Sequence, residues 1–85
     1  MADQESQDFI NDFKKELMTT INEFHRSSGN NQSQTAKILG ISQPKFSNIS
    51  NYHTEKFSLE NLINLISMLK CAQIAVNVNG VKIHF

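Results

Sequence analysis

Gly40 is the residue that most narrows what this chain can fold into. It stands between two short apolar-periodic stretches, in QSQTAKILGISQPKFSNISN over residues 32–51. A residue without Cβ accepts the left-handed backbone conformation at low cost, so it ends one helix and turns the chain sharply toward the next. The flanking signals agree. Asn31 is suited to cap a short helix running to about Leu39, and Ser42 to cap the helix that follows. Pro44 falls in the first turn of that second helix, where its missing N–H matters little. Phe46 and Ile49 supply its apolar face.

Helical periodicity surrounds this corner on both sides. Phe9, Ile10, Phe13, Leu17, Ile21 and Phe24 recur at spacings of one, three or four, which predicts an amphipathic helix over 8–28 behind a flexible segment 1–7. Ser6 is its expected cap, Asp8 lies in its first turn, and Gly29 is its expected stop. Its outer face mixes Asp12, Lys14, Lys15, Glu16 and Glu23, unlike the strongly basic face of a membrane-surface helix. After a polar loop from Asn51 to Lys56, Ser58 caps a core helix over 58–71 that carries Leu59, Leu62, Ile63, Leu65, Ile66 and Leu69. The period then changes. Ile74, Val76 and Val78 alternate, Asn79-Gly80 offers a type I′ turn, and Val81, Ile83 and Phe85 alternate again, which predicts a β-hairpin over 73–85. The expected fold is therefore mainly α: a single domain of four to five helices, with the corner at 31–51, followed by a C-terminal β-hairpin.

Composition removes several classes of function. With 85 residues, 39% hydrophobic and 19% charged, the chain fits one small folded domain rather than a disordered one. The single cysteine, Cys71, permits no internal disulfide, reads as inert core, and suits a reducing cytoplasm. The acidic start MADQESQDF is unlike a secretory signal, and no apolar run is long enough for a membrane span, so a cytoplasmic protein is expected. His25, His53 and His84 have no metal-ligand spacing with one another or with Cys71, and read as surface or phosphate-adjacent side chains. No metal or cofactor is expected. No phosphate-cradling glycine loop, nucleophile motif or carboxylate pair is present, since Asp12 and Glu16 read more simply as an outer helix face, so no enzyme is expected either.

The formal net charge is zero, but its distribution is uneven. Six of the eight acidic residues lie in the first 23 positions, and none lies between Phe24 and Thr54, where Arg26, Lys37 and Lys45 remain. That acid-free stretch is crowded with Asn, Gln and Ser, which hydrogen-bond phosphates and base edges. It leans toward an anionic partner; a polar, solvated loop region is the plainer alternative. The corner itself carries more information. Where two helices cross closely, the first wants a small residue, and Ala36 is there; four residues later the turn wants glycine, and Gly40 is there. Leu39, Ile41, Phe46 and Ile49 fill the positions between them. This is the pattern of a helix-turn-helix, whose second helix projects polar residues into a DNA major groove. A tight corner in a helical bundle that binds no DNA remains the competing reading.

The stretch QSQTAKILGISQP, followed by FSNISN and then FSLENLINLI, resembles the XRE-type helix-turn-helix family, and within it the HigA-like antitoxin and regulator branch. The resemblance covers about Asn31 to Leu69. It implies a homodimeric, autoregulating repressor that binds double-stranded DNA, with a cognate toxin as a further partner. Residue by residue, it implies that Gln32 bonds a phosphate and buttresses the recognition helix, and that Ser42 caps that helix and touches a phosphate. It places Gln43, Pro44, Lys45, Ser47 and Asn48 at the groove. Gln43 and Asn48 are the expected base readers, and Pro44 has only an apolar contact to offer, for instance to a thymine methyl. At the position after the recognition helix, where relatives commonly carry a basic residue, this chain has Asn51, followed by Tyr52 rather than glycine. The loss of one phosphate-neutralising group lowers the expected salt slope by roughly one unit. Tyr52 and His53 read either as backbone contacts beyond that helix or as ordinary loop residues.

Modest affinity per subunit makes a dimer useful. One expectation is that the hairpins of two subunits pair into a shared sheet and hold the recognition helices about 34–36 Å apart on a palindrome; the other is that the hairpin folds back on its own core. Many antitoxins capture the toxin with a long disordered arm, whereas only about seven residues precede the first helix here. Toxin capture would then use the helical body, such as the acidic first helix. The alternative function is a protein-interaction module that keeps the fold without binding DNA.

Overall fold

The computed structural model describes the backbone of residues 2–79 and the side chains of residues 7–70. Its elements in order are α1 Ala2–Ser28, α2 Gln32–Leu39, α3 Gln43–Ser50, a 3₁₀ turn at Thr54–Lys56, and α4 Leu59–Asn79. No strand occurs among the described residues.

Local chemistry explains where each helix begins and ends. α1 starts at Ala2, ahead of the expected Ser6 cap. Ala2, Gln4 and Glu5 are good helix formers, and Asp3 and Glu5 suit the positive end of the helix dipole. α1 stops at Ser28, and Gly29 then takes a left-handed φ of 76°. α2 opens with a capping box: the Gln34 N–H donates to Asn31 Oδ1 at 2.8 Å, and the Asn31 N–H donates to Gln34 Oε1 at 2.9 Å. Ser42 Oγ accepts the Lys45 N–H at 3.2 Å at the start of α3, and Ser58 Oγ accepts the Asn61 N–H at 3.0 Å at the start of α4.

The core is built where the helices converge. Met18 and Ile21 of α1, Ala36 and Leu39 of α2, Phe46 and Ile49 of α3, and Leu62, Leu65 and Leu69 of α4 are buried together with Phe57. Leu17, Phe24, Ile38, Ile41 and Ile66 pack around them. Burying a large apolar side chain contributes roughly 1.5–3 kcal/mol, so this cluster is the main source of stability. His25 belongs to the packing as well, and is not the surface residue expected. It is half-buried, its ring meets Phe46 edge-on at 4.9 Å, and its Nδ1 lies 2.6 Å from the hydroxyl of the buried Thr35.

The apolar stripe of α1 is not buried along its whole length: Phe9 is 72% exposed and Phe13 40% exposed. At 27 residues α1 is about 40 Å long, whereas α2 and α3 have eight residues each and about 12 Å of length, too short to cover its leading turns. The hairpin expected over 73–85 is unconfirmed: among the described residues α4 is helical through Asn79 and takes in Ile74, Val76 and Val78. No Gly or Pro interrupts the chain between Leu69 and Asn79. β-branched residues cost a helix only up to about 0.7 kcal/mol each, so helix propagation from the packed turns prevails. The second strand, from Val81 to Phe85, and the Cys71 side chain lie outside the described residues.

Candidate nucleic-acid interface

The corner between α2 and α3 is set by Gly40, at φ 73°. Its N–H donates to the Lys37 carbonyl at 3.1 Å, and the Ile41 N–H donates to the Ala36 carbonyl at 3.0 Å. This pair of bonds is a Schellman motif, which satisfies the last carbonyls of α2 and turns the chain back over Ala36. The small side chain of Ala36 is 2% exposed at this crossing.

α3 has two distinct faces. Phe46 and Ile49 are fully buried and fix its rotation. At 3.6 residues per turn, Pro44, Ser47, Asn48 and Asn51 then share the opposite side, with Gln43 at its leading end. Gln43, Pro44 and Asn51 are exposed, and Ser47 and Asn48 are half-buried. The structure thus brings together five of the eight residues singled out from the sequence. The other three sit apart. Gln32 is the first residue of α2 and is half-buried; Ser42 is engaged by its cap bond; and Lys45 lies on the flank, its ammonium 5.7 Å from the centre of the Phe57 ring.

Asn51 folds back on its own helix. Its Nδ2 donates to the Ser47 carbonyl at 2.9 Å and lies 3.4 Å from Ser47 Oγ. Beyond it, His53 pairs with Glu55 at 3.4 Å. The Glu55 carboxyl is held below its ordinary pKa, first by a hydrogen bond from its own backbone; desolvation opposes this, and His53 and Lys56 lower it further. No acid precedes Glu55 back to Glu23, so the face of α3 itself carries no negative side chain.

Three polar side chains of α1 reach the end of α3 and the turn that follows it, and the sequence reading missed all three. Asn22, 8% exposed, donates from Nδ2 to the Ile49 carbonyl at 3.3 Å. Thr19 Oγ1 lies 3.0 Å from the Tyr52 hydroxyl, and Lys14 Nζ donates to the Thr54 carbonyl at 3.3 Å. Only Asn22 had a readable signal: it is a polar residue one position after Ile21 and four after Met18, on the buried side of the helix. The groove elsewhere on the surface, lined by residues such as Phe24, Ile66 and Lys70, involves α1 and α4 alone.

A small-residue crossing, a left-handed glycine at the corner and an outward polar face on the second helix together make a helix-turn-helix. A family model described as a helix-turn-helix domain matches residues 1–79. The chain belongs to that family. No curated protein and no solved structure matches it. The match extends over α1 and α4, so both long helices are part of this helix-turn-helix domain and not additions to it. No helix among the described residues is long and apolar enough to cross a membrane.

Proposed function

We propose that this helix-turn-helix domain is a sequence-specific DNA-binding transcriptional regulator, acting in the cytoplasm as a dimeric repressor on a palindromic operator. The observation that carries the reading is the outward face of α3. Its rotation is fixed by buried Phe46 and Ile49, it presents Gln43, Pro44, Ser47, Asn48 and Asn51 together, and no acid lies between Glu23 and Glu55. In this reading Gln43 and Asn48 read base edges, since amides pair bidentately with adenine N6 and N7. Lys45 on the flank, Gln32 and Ser42 take phosphates. Dimerisation compensates for a recognition helix with only one basic residue. The resemblance to the HigA-like branch makes autorepression within a toxin–antitoxin pair the matching biological role, with no catalytic, metal or cofactor chemistry.

A second reading, a protein-interaction module or toxin-neutralising partner, is favoured by one observation. Phe9 and Phe13 expose an apolar edge on a helix that also carries Asp12 and Glu16. The two readings are separated by selection from a random duplex library at low and moderate salt. A repressor enriches one sequence family and loses it in the Gln43→Ala/Asn48→Ala double variant. An adaptor enriches nothing and is indifferent to heparin.

A further inference from the structure

The two helices of the motif end in the same geometry but with different residues. After α2 the left-handed position is Gly40, at φ 73°. After α3 it is Tyr52, at φ 60°, the one non-glycine residue with positive φ among the described residues. The Tyr52 N–H donates to the Ile49 carbonyl at 3.0 Å and the His53 N–H to the Asn48 carbonyl at 2.9 Å, which repeats the Schellman pattern seen at Gly40. Side chains with a Cβ disfavour this backbone region, and a bulky residue there is an outlier. Glycine would serve the turn better, so the tyrosine is explained only by what its side chain does.

That side chain points to α1. Its hydroxyl lies 3.0 Å from Thr19 Oγ1, and the Thr19 hydroxyl also donates to the Lys15 carbonyl at 2.9 Å. With Thr19 donating to Lys15, the Tyr52 hydroxyl is the donor of the shared bond. Asn22 holds the Ile49 carbonyl, which also receives the Tyr52 N–H, and Lys14 holds the Thr54 carbonyl. Three turns of α1 therefore hold the end of α3 and the 3₁₀ turn after it, on either side of the strained residue. The carbonyl that the His53 N–H bonds belongs to Asn48, on the outward face of α3.

We propose that Tyr52 is a positioning residue for DNA recognition. Held in a left-handed conformation by Thr19 of α1, it fixes the end of α3 and so the direction in which Asn48 and Asn51 face the groove. This rests on the DNA-reading function proposed above. It replaces both roles left open by the sequence, a backbone contact or an ordinary loop residue, since a hydroxyl that gives its one proton to Thr19 has none to donate to a phosphate.

The test uses the full chain and the duplex enriched from the random library, with a scrambled duplex alongside. Tyr52→Phe and Thr19→Val each remove one side of the bond and leave the fold in place. Each is expected to lower the ratio of specific to non-specific affinity by about two- to tenfold, the worth of one hydrogen bond, with the salt slope unchanged. The double variant is expected to lose no more than either single variant, because both remove one interaction. Tyr52→Gly, which keeps the turn without strain, is expected to lose discrimination while melting no lower than Tyr52→Phe. Without DNA, amide exchange at Tyr52 and His53 is expected to quicken in both single variants. If Tyr52→Phe weakens all duplexes alike while Thr19→Val does nothing, Tyr52 contacts phosphate directly and the proposal is overturned. Unchanged discrimination in both variants also overturns it. A parent that discriminates among no duplexes overturns the DNA reading and this role with it, and the exchange data then separate a broken tie from a missing target.

Discussion

The leading turns of α1 and the α2–α3 corner carry apolar residues at the same helical spacings and meet opposite fates. In the corner, Leu39, Phe46 and Ile49 are 1% exposed or less, whereas on α1 Phe9 is 72% exposed. Periodicity tells which side of a helix is apolar; it says nothing of whether another element is long enough to cover that side. α2 and α3 can be checked against each other, because the corner between them is short and its direction is fixed by Gly40. α1 has no such constraint at its start. The comparison predicts that the two regions respond differently to the same kind of substitution.

Phe46→Ala should have the largest effect. Truncating a fully buried phenylalanine costs about 3–5 kcal/mol, most of the stability of a domain this small. Circular dichroism on heating is expected to show a chain largely unfolded near 37 °C or melting far below the parent. A melt close to that of the parent would mean that the corner is not the centre of the core.

Gln43→Ala/Asn48→Ala should leave melting almost untouched and remove sequence discrimination. Each base contact is worth about 1–3 kcal/mol, so the preference for the selected duplex over a scrambled one should fall at least tenfold. Competition binding with both duplexes checks this, and loss of melting temperature instead would place these residues in the fold.

Gly40→Ala isolates the corner's backbone. A Cβ there would meet Met68 Cε at 3.7 Å, an ordinary contact, so the cost is that of the left-handed φ of 73° alone. Destabilisation of about 1 kcal/mol is expected in a urea titration, with an unchanged slope. A much larger loss would mean that the crossing depends on more than this turn.

The smallest effect belongs to the other region. Phe9→Ser removes apolar area that is already largely in water, and stability should change by no more than about 0.5 kcal/mol. Sedimentation of the same variant sharpens the result. A parent that dimerises and a variant that does not would show that this edge is covered by a second copy.

These contrasts also explain what was legible in the sequence. Caps and corner were readable because each is a local rule with one or two residues to satisfy. Asn31, Gly40, Ser42 and Ser58 do what their chemistry requires. The burial of Phe46 and Ile49 followed from their spacing next to a tight turn. The outward face of α3 was readable for the same reason, since a fixed buried side fixes the opposite one. What could not be read depends on distant partners. Tyr52 looks like a loop residue until its hydroxyl is seen 33 positions from Thr19, and His25 looks like a surface residue until it is found against Phe46 and Thr35. The strand expected at Ile74–Val78 is unconfirmed, and alternation over three residues is a weak signal beside a helix already under way. The family resemblance placed Lys45 at the groove, and its ammonium stands 5.7 Å from the centre of the Phe57 ring, a contact that spacing could not show.

The most direct measurement is fluorescence anisotropy of the full chain on the duplex selected from the random library, against a scrambled duplex, at several salt concentrations. The parent should bind the selected duplex more tightly at every salt concentration, with affinity for both falling as salt rises. Gln43→Ala/Asn48→Ala should bring the two duplexes to equal affinity while keeping the salt dependence. Equal affinity for both duplexes in the parent, or discrimination that survives the double variant, would contradict the claim that the outward face of α3 reads DNA.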